Sequence, residues 1–391
     1  MAAAVSVAPA AQAEDLLPPS SDSFFGYDAS LVDLEPGAVL KERAVQVPIG
    51  AGVVGATQLL FRTTGQTGAP LLGVTTVMRP ANAGELTKIV AFQNFYDALG
   101  AQCNPSYTLR GGGNPGDYGR YVDQAVIGRY LDAGYTVVAT DYEGIDLAFG
   151  AGRQSGQVTL DGIRAAQRRF GADPGRSPVV MVGYSGGSIA TEFATEAAAN
   201  GYAPELNIVG VAEGGFPVDY RHSIEYVNGT QIWSRVIPLI LGGLARGYGI
   251  DLDPYLSERG KQVMADVQGR CLTDEQFTGT IEELLRPEYQ AYTEVPELAR
   301  MLTDTRMRVV GNPTAPMYAM IGNSDGRGDG VMVAADERAL LRDYCAEGVP
   351  VQFREVASDH VTTGLAFMAA VAPFVDERFN GAPAVNDCAA I

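Results

Sequence analysis

The chain has 391 residues, 46% of them hydrophobic and 19% charged, with a formal net charge of −18 from 28 basic and 46 acidic residues. That is a folded globular composition, with room for one large domain carrying a substantial insertion, or for two domains. Acidity with no basic cluster to offset it argues against nucleic acid and anionic lipid as partners, and no run of about 18 uncharged apolar residues exists to span a bilayer.

The N-terminus, MAAAVSVAPAAQAEDLL, is apolar and rich in small residues, and Ala11-Gln12-Ala13 has the small-x-small form of a signal-peptidase site. Residues 1–13 are read as the remnant of an export signal lacking its basic leader, which places the mature chain outside the cell. Close-set alternating runs at 44–48, 58–63 and 71–78 predict an antiparallel start. Apolar runs at 87–94, 135–141, 178–184, 207–214, 316–322 and 350–356 predict further strands. Helical patterns fall between and after them, at 121–133, 158–170, 185–200, 333–347 and 360–379. In 158–170, Leu160, Ile163, Ala166 and Phe170 recur on one face. The alternation predicts an α/β fold, with a mostly parallel central sheet flanked by helices.

One interval breaks the rhythm. Residues 218–310 show no strand pattern but several helical ones, including the apolar stretch 232–245, which holds the only tryptophan, Trp233, and the stretch 281–292. They are read as a helical cap inserted over the sheet's C-terminal edge, dividing the core into 14–217 and 311–391. The apolar helix has three readings: a lid touching a lipid interface, a wall of an acyl-chain tunnel, or ordinary packing.

The chemistry centres on Gly183-Tyr184-Ser185-Gly186-Gly187, where an apolar strand meets a helix start. A serine on such a corner is exposed above the sheet, and the N–H of Gly186 and the positive helix end face a developing oxyanion. A serine needs a base, and the chain has only two histidines, His222 and His360. His360, in SDHVTTG, follows the last predicted strand, as the chain order Ser-Asp-His of this motif requires. His222 lies before the acid and is read as a structural residue. The acid belongs in the loop NSDGRGDG after the preceding strand, where Asp325 and Asp329 both qualify. A second oxyanion donor is expected after the strand at 87–94. Asp97 occupies that place, donating through its backbone N–H or a protonated carboxyl. Arg327 stands where a calcium loop needs an oxygen ligand. With two histidines and no C-x-x-C pair there is little for a transition metal, and no cofactor is expected. Cys103, Cys271, Cys345 and Cys388 suggest two disulfides in an exported chain, with three connectivities open. Cys103–Cys271 with Cys345–Cys388 is preferred, the second pinning the C-terminal tail.

FQNFYDALGAQCNPSY, ATDYEGIDLAFGAG, GYSGG and DHVTTG, in this order and spacing, together resemble the secretory lipase family. In the family pattern the acid precedes a cysteine-bearing helix by a fixed distance. Asp329 to Cys345 fits that register and Asp325 does not, so Asp329 is preferred and Asp325 is the alternative. The chain has Asp329-Gly330-Val331-Met332-Val333 where the family often has Asp-x-x-Val-Pro. The resemblance implies an α/β-hydrolase fold, a helical cap, an acyl-ester substrate, Asp97 beside the oxyanion hole and two disulfides. The expected activity is a secreted serine carboxylic-ester hydrolase, a lipase or esterase, with Ser185, His360 and Asp329 as triad and Gly186 and Asp97 as oxyanion donors. Alternatives are an acyltransferase, an esterase for a small soluble ester, a peptidase, and a non-catalytic binding protein on the same fold.

Overall fold

The structure is a computed structural model and describes residues 16–80, 87–114 and 118–391. The export-signal reading of residues 1–13 lies outside the described residues. Among the described residues nine strands form one sheet: β1 (Val39–Ile49), β2 (Gly52–Thr64), β3 (Pro70–Met78), β4 (Ile89–Gln93), β5 (Thr136–Thr140), β6 (Val179–Tyr184), β7 (Ile208–Gly214), β8 (Met317–Gly322) and β9 (Val351–Val356). Their order is β1-β2-β3-β5-β4-β6-β7-β8-β9. β1, β2, β3 and β5 pair antiparallel in sequence, and the remaining pairs are parallel.

The central strands are apolar throughout because both faces are covered. In β6, Val179 and Met181 join one core cluster with Ile163 and Phe193, while Val180 and Val182 join the other with Tyr130 and Phe367. Side chains alternating at period two thus feed two cores. β1 and β2 run longer than their apolar patterns indicate, meeting at a two-residue turn in which Gly50 takes φ 57°. The added ends, 39–43 and 52–57, mix polar and apolar residues and are largely uncovered, with Val53 exposed, and the ladder extends through them.

Three helical expectations change. The pattern at 158–170 belongs to a helix that begins at Gly152. Its first turns hold Gly152 and Gly156, poor helix formers that permit close packing: a Cβ on Gly156 would lie 2.4 Å from the backbone carbon of Phe193. The expected helix 360–379 is two helices, His360–Ala370 and Ala372–Phe379, because Pro373 has no N–H to continue the first. The stretch 281–292 forms only the short helix Ile281–Leu284 and two 3₁₀ turns. Pro287 holds Arg286 extended, at φ −63° and ψ 152°.

Between β7 and β8 the described chain adds no strand to the sheet. It forms the helices Tyr220–Val227, Val236–Tyr248, Glu258–Val267, Ile281–Leu284 and Pro296–Asp304. In Val236–Tyr248, Ile237, Leu239, Leu241 and Leu244 are buried in the same cluster as Val179 and Met181. The helix is apolar because it is packed on all sides. Two disulfides, Cys103–Cys271 and Cys345–Cys388, tie segments that are distant in sequence.

The strand order determines where chemistry can occur. From β4 the chain crosses to β5 on one side, then returns past β4 to β6 on the other. The C-terminal ends of β4 and β6 therefore open side by side, with Gln93 paired to Gly183. Such a reversal leaves a crevice at the strand ends.

Candidate active site

Ser185 sits between β6 and the helix Gly186–Ala199 with φ 55° and ψ −125°. A non-glycine residue held there stores backbone strain and needs surrounding structure to hold it. The support is local: its N–H donates to the Gly214 carbonyl at 3.0 Å, and its carbonyl accepts from the Ser188 N–H at 2.8 Å. The neighbouring glycines are required by close approach. A Cβ on Gly183 would fall 2.3 Å from the Gly187 carbonyl oxygen, and one on Gly187 would fall 2.2 Å from that of Gln93.

The loops after β8 and β9 bring the other two residues over this corner. His360 Nε2 lies 2.7 Å from Ser185 Oγ, and His360 Nδ1 lies 2.7 Å from Asp329 Oδ2. The His360 backbone N–H also donates to the Asp329 carbonyl at 2.9 Å. The second carboxylate oxygen of Asp329 accepts from the N–H groups of Val331 and Met332 at 2.9 and 2.7 Å. All three side chains are buried or nearly so, with Asp329 only 1% exposed. Asp359 caps the helix His360–Ala370 by accepting from Val361 and Thr362, which sets the histidine at the first helical position.

The structure does not bring Asp325 to His360. Asp325 is exposed; its carboxylate accepts from the N–H groups of Arg327 and Gly328 and from the Tyr226 hydroxyl. Those bonds, the Gly328 N–H first, hold its acidity below the usual carboxylate range. His222 is also remote from the serine, its Nδ1 lying 2.8 Å from Asp336 Oδ2 at the surface.

Asp97 lies across Gly186. A Cβ added to Gly186 would fall 1.8 Å from Asp97 Oδ1. The carboxyl is buried and Oδ1 has no partner among the described residues. Burial raises its pKa to about 7, against a smaller opposing pull from His360. Below that pH it is a neutral acid able to donate a hydrogen bond.

Several contributors escaped the sequence reading. The Tyr184 hydroxyl donates to the His360 carbonyl at 2.6 Å, and its ring lies 5.1 Å from the imidazole. Trp233, from the helical stretch between β7 and β8, meets the imidazole edge-on at 5.4 Å. Being the sole tryptophan within an apolar stretch was a signal for Trp233; nothing in the sequence gave Tyr184 a role. Glu143 Oε1 accepts the Ala98 N–H at 3.2 Å, and burial, reinforced by Asp97, pushes its acid well up.

Two hollows meet at Ser185 and Trp233. One, a narrow hollow of about 430 Å³ counted with the space open to solvent, passes Gly186 and Asp97 and runs among Phe149, Ile189, Val227, Val236 and Ile240. The other, about 780 Å³ including its open mouth, is lined by His360, Phe95, Val122, Val361, Leu365 and Met368. Among the described residues no group of side chains could hold a metal ion, and no helix is long and apolar enough to cross a membrane.

Residues 120–387 match the family model described as secretory lipase. A Candida albicans protein named Lipase 6 is 32% identical over 95% of this chain and 84% of its own length. A Mycobacterium tuberculosis chain carrying the name "Probable inactive lipase" is 30% identical over 93% of this chain and 83% of its own. The structure of Candida antarctica lipase A in its closed state superposes with a TM-score of 0.87 at 28% identity, over 95% of this chain and 89% of that one. The chain belongs to the secretory lipase family, carboxylic-ester hydrolases on the α/β-hydrolase fold.

Proposed function

We propose that Ser185, His360 and Asp329 are the catalytic triad of an exported lipase that cleaves apolar acyl esters. One observation carries this reading. A single imidazole stands 2.7 Å from the Ser185 hydroxyl on one nitrogen and 2.7 Å from a buried carboxylate on the other. His360 Nε2 removes the proton as Ser185 Oγ attacks the ester carbonyl, and Asp329 stabilises the imidazolium. The tetrahedral oxyanion lies against the Gly186 N–H and the Asp97 carboxyl. His360 then returns the proton to the leaving alkoxide. Water, deprotonated by the same nitrogen, releases the acid. Removing one oxyanion donor costs on the order of 10²–10³ in rate in related chemistry.

The apolar hollow beside Gly186 and Asp97 suits the acyl chain, and the open hollow at His360 suits the leaving alcohol. Phe95, Val361 and Leu365 line the open hollow while being 37%, 59% and 54% exposed. Ile232, next to Trp233, is 60% exposed. This rim favours a water-insoluble ester presented at an uncharged or zwitterionic surface, since the chain's net charge of −18 opposes an anionic one. The helix Val236–Tyr248 contributes to the acyl wall through Val236 and Ile240 rather than to that rim. We treat residues 218–310 as a cap over a core of 14–217 and 311–391. Two disulfides and the family's name agree with an extracellular setting. The assembled triad speaks against a non-catalytic role.

An ester series of graded acyl length, dissolved and emulsified, run beside Ser185→Ala, tests this. Turnover rising with acyl length and abolished in the variant supports it. Turnover persisting in Ser185→Ala sinks it.

A further inference from the structure

Asp97 Oδ1 is buried without a hydrogen-bond partner among the described residues, so no bond at that oxygen fixes the carboxyl's place. The backbone that carries it is gripped from two sides. On the sheet side, the Tyr142 hydroxyl stands 2.8 Å from the Asn94 carbonyl, and Glu143 Oε1 accepts the Ala98 N–H. On the other side stands the inserted segment. The Leu272 N–H donates to the Asp97 carbonyl at 2.8 Å, the Leu99 N–H donates to the Arg270 carbonyl at 2.9 Å, and the Gly269 N–H donates to the Leu99 carbonyl at 3.1 Å. Ala98 and Cys271 form an antiparallel bridge, and Cys271 is bonded to Cys103 at the far end of the same loop.

We propose that residues 269–272, fastened by the Cys103–Cys271 disulfide, are a positioning element of the oxyanion site, holding Asp97 over Gly186 from the inserted side. The inference rests on Asp97 and Gly186 receiving the oxyanion. The insertion then does more than cover the site. Three of its backbone groups and one covalent bond complete a loop that the sheet holds on one side only. The Cys345–Cys388 disulfide, which ties the helix Ala334–Ala346 to the C-terminal turn, makes no such contact and serves as its control. Misplacing a catalytic group by about 1 Å can cost 100-fold in rate, so loosening this grip should act on kcat before it acts on substrate binding.

The test isolates one N–H. Leu272 begins a 3₁₀ turn after an extended Cys271, at φ −89° and ψ 155°, a setting that accepts proline. Leu272→Pro removes the donor to Asp97, whereas Leu272→Ala keeps it and trims the same side chain. Leu272→Pro should show a kcat about tenfold or more below that of Leu272→Ala, with KM within about twofold. A boronic acid that forms a tetrahedral adduct at the serine should bind correspondingly more weakly. Cys103→Ser/Cys271→Ser should repeat this kcat-selective loss per folded molecule. Cys345→Ser/Cys388→Ser should lower the thermal midpoint and leave kcat in place. Equal kcat for Leu272→Pro and Leu272→Ala, or for the two cysteine-pair variants, would overturn the proposal. Ser185→Ala in the same assay separates the two levels: retained turnover there refutes the nucleophile itself, not the grip on Asp97.

Discussion

Asp97 and Gly186 are in such close register that a single methyl group at Gly186 would overlap the carboxyl, at 1.8 Å from Oδ1. Gly186→Ala should therefore displace Asp97 and cut kcat by about 100-fold, as read by steady-state hydrolysis of a dissolved ester. The fold should remain, because the helix that follows accepts alanine.

The same pair predicts a pH dependence. With Asp97 as the proposed oxyanion donor, its carboxyl, raised by burial to about 7, would donate while neutral and repel the oxyanion once ionised. kcat/KM should fall as pH rises through 7. Asp97→Asn keeps a donor that does not titrate, so its profile should stay flat there. A falling limb near 7 that persists in Asp97→Asn would assign it to another group.

The two candidate acids should separate cleanly. Asp329→Asn should lower kcat by roughly 10³–10⁴, since the imidazole loses the partner that orients it. Asp325→Asn should change kcat by less than about twofold, because that carboxylate serves the turn and the Tyr226 hydroxyl. Rates of both variants on one ester decide the matter.

Behind the elbow, buried acids set the pH dependence of stability. Burial raises Glu213 from 4.5 to about 8, and burial and Glu192 raise Glu196 to about 9. The native state then holds protons that the unfolded chain releases. Their contribution is intact below about 4.5 and is lost as pH rises toward 8–9. Urea unfolding at pH 5 and pH 8 should show Glu213→Gln losing roughly 1–3 kcal/mol less than the parent between them.

Ile240 faces the hollow beside Gly186. Ile240→Trp should fill it and shift the preferred acyl length toward short esters, by about tenfold or more in relative kcat/KM. An unchanged chain-length profile would move the acyl chain to the His360 side.

The fold was legible wherever burial imposed a period. All nine strands were visible because apolar alternation or continuous apolar runs mark them, and β6 through Ser185 to the following helix was the plainest passage. Helix ends were less so. Gly152 and Gly156 obscure a helix start whose purpose is close packing with Phe193, and Pro373 was a break inside a run that otherwise read as continuous. At the site, Ser185 and His360 followed from motif and scarcity. Asp329 needed a family register, since Asp325 has the same chemistry four residues away and only the loop's path separates them. Tyr184, Trp233 and the grip of residues 269–272 on Asp97 depend on contacts between distant segments, which no local pattern encodes.

The most direct measurement is the intact mass and peptide map of the protein after reaction with an alkyl fluorophosphonate, an irreversible mimic of the acylation step. One adduct is expected, on Ser185, formed in proportion to the loss of ester turnover, and neither adduct nor turnover in Ser185→Ala. An adduct on another residue, or turnover surviving in Ser185→Ala, would contradict it.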